Sequence, residues 1–228
     1  LEVLGVHRDG GMCARIAVPA GNLYPATGLS PDQAALVEFL AIGAHAVRRS
    51  ETRAGDRVLV TGAGPIGLGV ALFARLRGAE VHLLDQSRAR LNAIGSVFGF
   101  SDLHGTDEPL LTLDLSDGFD MVFDATGNAG AIEAGFAHVA QGGTCVLVSV
   151  VKDRISFADA EFHRREMRIV GSRNATEEDF RVVMDALRSG DIRAEQIISE
   201  RMRLAEVPER IAALARNREA IIKAIVEI

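Results

Sequence analysis

The sequence predicts an α/β fold built on a doubly wound parallel sheet, and three observations carry that prediction. Short apolar, β-branched runs such as "RVLVT" and "GGTCVLVSV" recur through the middle of the chain, as expected for strands buried on both faces of a parallel sheet. Helical segments alternate with them in a β-α-β-α-β succession, which right-handed crossovers wind into one sheet. Gly62, Gly64 and Gly67 stand between the first of these strands and its helix, spaced G-x-G-x-x-G. That is the spacing of a tight turn opening a helix that packs closely on its strand.

Taken in order, residues 12–28 read as short strands ending in a turn. A helix follows from Ser30. Ser30 is an N-cap, Pro31 suits the first helical position, and Gln33 completes a capping box. Arg48 and Arg49 suit its C-terminal end, where the dipole favours cations. Next come "RVLVT", a helix over 65–77, "EVHLLD", a helix over 88–98 and a short strand near 101–104 in an otherwise irregular stretch. "FDMVFDAT", a helix over 128–140 and "GGTCVLVSV" complete the alternation. Beyond Val151 the segments are "DRISF" as a strand at one edge of the sheet, "MRIVGS", a helix over 177–189, "IISERMRL", a helix over 205–216 and "IIKAIVEI". No internal repeat or low-complexity stretch interrupts them.

The bulk numbers narrow the function. A chain of 228 residues, 48% hydrophobic and 25% charged, makes one or two domains with a large core. A net charge of −6 without a basic patch argues against a nucleic-acid partner. No apolar run approaches a membrane span, and no signal peptide precedes the fold. Cys13 and Cys145 are too few for a disulfide scaffold and fit a reducing cytoplasm. The first residue is Leu, which reads as a segment of a longer chain.

The glycine spacing in this context points to a dinucleotide site of the Rossmann type. Gly62 would make the turn, Gly64 would admit the pyrophosphate, and Gly67 would let helix and strand touch. Pro65 and Ile66 sit in the same turn, so the pyrophosphate would rest on the N-terminus of the helix they begin. Asp85 follows Gly67 by 18 residues and ends the second strand. An acid there accepts bonds from both ribose hydroxyls and repels a 2′-phosphate, which favours NAD over NADP. The plainer alternative is a glycine turn beside a solvated acid.

"GAGPIG", "FDATGN", "GGTCVLVSV" and "RREMRIVGSRNAT" resemble the zinc-containing medium-chain dehydrogenase/reductase family. "ALVEFLAIGAHAVRRSETRAGDRVLVTGAGPIG" is most similar to its polyol and sorbitol dehydrogenase branch, and "LGVHRDGG" with "SRNATEEDF" resembles relatives that oxidise sugar acids such as galactonate. The resemblance covers essentially the whole chain, as the C-terminal two-thirds of a family member. It implies a Rossmann domain flanked by parts of a split, mainly β catalytic domain. Residues 1–45 would be the tail of the first catalytic part, 46–175 the dinucleotide-binding domain, and 176–228 the return to the catalytic part. It also implies NAD, a catalytic zinc, and a homodimer or homotetramer through the sheet edge at Ile155–Phe157. The family's Cys and His–Glu zinc ligands would lie upstream, so this segment alone is expected to be inactive.

By the same resemblance Glu38, in "LVEFLA", matches a carboxylate that faces the catalytic zinc, directly or through water. Phe39 stands where Pro is usual, and a solvated helix face is the alternative for Glu38. Arg90 would sit over the adenosine ribose, with Arg88 as competing choice. Thr126 and Gly127 would border the adenine, Ser149 and Val150 would meet the nicotinamide amide, and Arg173 would reach the pyrophosphate or else only cap a strand end. These positions lie at carboxyl ends of strands, where open α/β sheets bind ligands. His45 and His82 read as packing residues, and His7 as a possible pocket residue. The expected activity is hydride transfer between NAD and a polyol or sugar-acid hydroxyl. The rivals are a zinc-free quinone or enoyl reductase of the same family, which usually prefers NADPH and lacks the acid after the second strand, and a non-catalytic nucleotide-sensing module.

Overall fold

The computed structural model describes residues 3–107, 110, 117–217 and 221–228. Its centre is a six-stranded, wholly parallel sheet. The strands are β1 (Arg57–Thr61), β2 (Glu80–Asp85), β3 (Asp102–Gly105), β4 (Phe119–Asp124), β5 (Val139–Leu147) and β6 (Arg168–Gly171), in the spatial order β3-β2-β1-β4-β5-β6. The order reverses between β1 and β4, in register from Val58 opposite Met121 to Thr61 opposite Asp124. A crevice at the carboxyl ends of the strands opens at such a reversal.

Strand periodicity divides the core. Val58 and Val60 point into a cluster with α1 (Pro31–Ser50) and α2 (Pro65–Leu76), whereas Leu59 points to the other face with Phe119, Ile132 and Val139. The capping box at Ser30 forms as the sequence predicts: Gln33 N–H donates to Ser30 Oγ, and Ser30 N–H donates to Gln33 Oε1. A Cβ on Gly43 would lie 2.4 Å from the Gly69 carbonyl carbon, so α1 and α2 touch backbone to backbone.

Helix α1 also joins the sheet to the C-terminal segment. Arg48 donates from Nε to Asp179 Oδ1 at 2.7 Å, and His45 Nδ1 lies 2.8 Å from Asp179 Oδ2. Asp179 is in the first turn of α5 (Glu177–Ser189), and Thr176 donates to it from both N–H and Oγ1. Burial by itself pushes the Asp179 carboxyl up, but the bonds from Arg48, Thr176 and His45 outweigh it and hold the group far below the usual carboxylate range. Arg201 on β7 (Ile198–Arg203) pairs with Asp32 of α1, and β7 pairs in parallel with β8 (Lys223–Glu227).

Three expectations are corrected. Residues 153–157 form no strand. Ser156 donates from N–H and Oγ to Glu133 Oε1, both at 2.8 Å, and the Phe157 ring packs on Phe136 and Phe162. The Ser156 amide is spent on a side chain, so the segment folds back over α4 (Ala129–Gly135), and the edge strand is β6. Ile155–Phe157 is therefore not the sheet edge. Residues 12–28 contain no strand either. They hold one 3₁₀ turn at Ala20–Asn22, directly after Pro19, which has no N–H to donate to a ladder. Helix α4 stops at Gly135, and β5 starts three residues before the predicted "GGTC" run. Most of the irregular stretch after β3 lies outside the described residues.

Candidate dinucleotide site

The turn after β1 is built from backbone. Gly62 has φ 90°, a conformation that glycine adopts readily, and its N–H donates to the Leu84 carbonyl of β2 at 2.8 Å. A Cβ on Gly67 would stand 1.8 Å from the Gly62 oxygen, so the helix closes on the turn with no room for a side chain. At Gly64, the N-cap of α2, a Cβ would meet nothing within 4 Å. Open space therefore lies over the helix N-terminus, where first-turn N–H groups have no intrahelical partner. Pro65 occupies N1, and Ile66 leans into the core. The pyrophosphate of a dinucleotide fits this cradle by charge and by room.

Asp85 ends β2, buried beside the turn. Its Oδ2 accepts from Ala63 N–H at 2.7 Å and its Oδ1 from Ser87 N–H at 2.8 Å, while Arg90 Nη1 lies 3.4 Å from Oδ2. Arg90, rather than Arg88, is the cation beside Asp85, held in the first turn of α3 (Arg88–Phe98) capped by Ser87.

Beneath the other side of the crevice lies a carboxylate that the sequence reading passed over. Asp124, the last residue of β4, is 2% exposed. Its Oδ1 accepts from Thr126 Oγ1 at 2.6 Å and more weakly from Thr61 Oγ1 at 3.4 Å, and its Oδ2 accepts from Ser149 Oγ. Its carbonyl takes the N–H groups of Val148 and Ser149. The ends of β1, β4 and β5 thus meet on one side chain. The available signal was that "FDMVFD" ends on an acid as "EVHLLD" does. Thr126 and Ser149 are brought together here, with Gly127 at φ 68° beyond them. Val150 is 81% exposed beside them, and Arg173 is exposed just past β6.

Comparison with known proteins agrees with this arrangement. The family model "Zinc-binding dehydrogenase" matches residues 65–189. L-galactonate-5-dehydrogenase of Escherichia coli (strain K12) is 39% identical over 230 residues, covering 99% of this chain and 68% of that protein. The chain belongs to the zinc-binding dehydrogenases. The fold agrees with the crystal structure of a short chain alcohol dehydrogenase from E. coli CFT073 complexed with NADH, at TM-score 0.90 and 23% identity over 100% of this chain and 68% of that one. A zinc-binding dehydrogenase from Sinorhizobium meliloti 1021, solved bound to NADP, superposes at TM-score 0.78 with 28% identity over 92% of this chain and 64% of that one.

For a zinc-binding dehydrogenase the metal is the next test. Glu38 is exposed on α1, while Phe39 is buried beneath the Lys223 ammonium, 4.7 Å from its ring centroid. Among the described residues no group of three or more His, Cys, Asp or Glu side chains could hold a metal ion. These residues do not by themselves fit a zinc centre. His7 is exposed and accepts from Val3 N–H, and His82 stacks on His104 within the sheet. Cys145 is buried, and burial followed by the negative Asp124 pushes its thiol up to about 12. No described helix is long and apolar enough to cross a membrane.

Proposed function

We propose that this chain carries the dinucleotide-binding domain of an NAD-dependent alcohol dehydrogenase of the zinc type, oxidising a hydroxyl of a polyol or sugar acid. One observation carries the reading: the glycine cradle and Asp85 lie side by side at the topological switch, with open space over the α2 N-terminus. When bound, NAD accepts a hydride from the carbinol carbon. The chain's own groups do the holding. Gly62, Gly64, Pro65, Ile66 and Gly67 receive the pyrophosphate, and Asp85 with Arg90 meets the adenosine ribose. Thr126 and Gly127 flank the adenine side, Ser149 and Val150 the nicotinamide side, and Arg173 reaches towards the phosphates.

Identity to an L-galactonate-5-dehydrogenase supports the sugar-acid class. Residues 46–175 would bind the nucleotide, and 1–45 with 176–228 would belong to the catalytic part. Glu38 would offer one carboxylate to a zinc whose remaining ligands lie outside these residues. Two copies would pair along the β6 edge, since an open parallel edge leaves N–H and C=O groups unpaired; light scattering showing a monomer would count against that. The protein would work in the cytoplasm. The NADP-bound relative is itself a zinc-binding dehydrogenase, so it lends nothing to a zinc-free reductase, and a carboxylate at the end of β2 opposes a 2′-phosphate.

The experiment is an assay of the full-length protein for NADH formation with a panel of sugar acids, polyols, simple alcohols and, in reverse, quinones. Turnover of galactonate-like acids or polyols is the expected result. Quinone reduction with NADPH alone would overturn the reading.

A further inference from the structure

We propose that the Asp124 carboxylate biases the bound cofactor towards its oxidised form, favouring the cationic nicotinamide of NAD+ over the neutral ring of NADH. The inference rests on the dinucleotide reading above and adds to it a residue that acts by charge.

Among the described residues three aspartates are buried, and they are not alike. Asp179 is paired with Arg48 and His45, and Asp85 with Arg90. The Asp124 carboxylate accepts only from the hydroxyls of Thr126, Thr61 and Ser149 and from the Thr126 N–H. Among the described residues no lysine, arginine or histidine lies in ion-pair range of it. Such donors satisfy the oxygens but leave the charge in place, and a buried charge without a counter-charge is costly. Its influence reaches its neighbours: it adds to the burial that raises the Cys145 thiol. It also lies where a cofactor would cross the sheet, at the β1–β4 reversal, under the backbone that continues into Ser149. A cation delivered to that crevice is the complement the site lacks. NAD+ and NADH share every other group, so the pair isolates the charge on the ring.

The alternative is that Asp124 only holds Thr126 and Ser149 in position. The two roles separate by measuring the dissociation constants of NAD+ and NADH for wild type, Asp124→Asn and Asp124→Glu. Charge bias predicts that Asp124→Asn weakens NAD+ relative to NADH on the order of tenfold, the scale for unit charges about 10 Å apart at an effective dielectric near 20. Asp124→Glu should keep the wild-type ratio even if both affinities fall. Equal losses for both nucleotides in Asp124→Asn would overturn the inference while leaving the dinucleotide site standing. Should Asp124→Asn fail to fold, the smaller Asp124→Ser gives the same ratio test. A wild-type protein that binds neither nucleotide would overturn the cofactor reading, and this inference with it.

Discussion

The Asp85 carboxylate accepts two backbone N–H groups, from Ala63 and Ser87, so it braces the glycine turn in addition to its proposed role at the ribose. Its replacement should therefore act twice. Asp85→Ala is expected to weaken NAD binding about tenfold, because a bond to a charged acceptor is worth about 1.5–3 kcal/mol. It should also narrow the preference over NADP, because the negative charge that opposes a 2′-phosphate is removed. Titration of both nucleotides against the variant checks this, and an unchanged ratio would remove Asp85 from the ribose site. Gly67→Ala is more severe. Its Cβ would overlap the Gly62 oxygen, so thermal unfolding should show a loss of more than about 2 kcal/mol together with loss of nucleotide binding. The glycines and Asp85 were legible in the sequence because a fixed spacing carries their geometry. Asp124 was not, because its role exists only once Thr61, Thr126 and Ser149 converge from three separate strand ends.

At the scale of elements, α1 is the joint between the sheet and the C-terminal segment, and Asp179 is its fastening. Asp179→Ala would leave Arg48 and His45 without their buried partner, and chemical denaturation should report a loss of about 3 kcal/mol. The pH dependence has a definite sign. The folded carboxyl lies below its ordinary value of 3.8. The contribution is therefore complete at neutral pH, where both folded and unfolded forms are ionised. It is lost only as pH falls below the ordinary value towards the depressed folded one. Wild type and Asp179→Ala should accordingly differ fully at pH 7 and begin to converge only as pH falls below about 4. The α1 boundaries were readable from Ser30, Pro31, Gln33 and the closing arginines, since caps are local chemistry. "DRISF" does not declare its structure locally, because alternating apolar residues describe an edge strand and a loop folded over a helix equally well, and the choice is made by Glu133, 23 residues from Ser156.

For the whole molecule, the order β3-β2-β1-β4-β5-β6 places the residues proposed to meet the nucleotide at one end of one sheet. The metal chemistry of the family is not assembled in the same way. A catalytic zinc takes three protein ligands, and among the described residues no cluster of candidate ligands surrounds Glu38. These 228 residues alone are thus expected to bind NAD without forming NADH from polyols or sugar acids when zinc is added. Steady turnover by this chain would mean that residues read as structural take part in catalysis. Selectivity of the dinucleotide site for NAD is read from calorimetric titration of this chain with NAD and, separately, with NADP. Saturable one-to-one binding of NAD is expected, at least about tenfold tighter than NADP because Asp85 opposes a 2′-phosphate. Equal affinities, tighter NADP, or no binding of either nucleotide to the folded chain would contradict it.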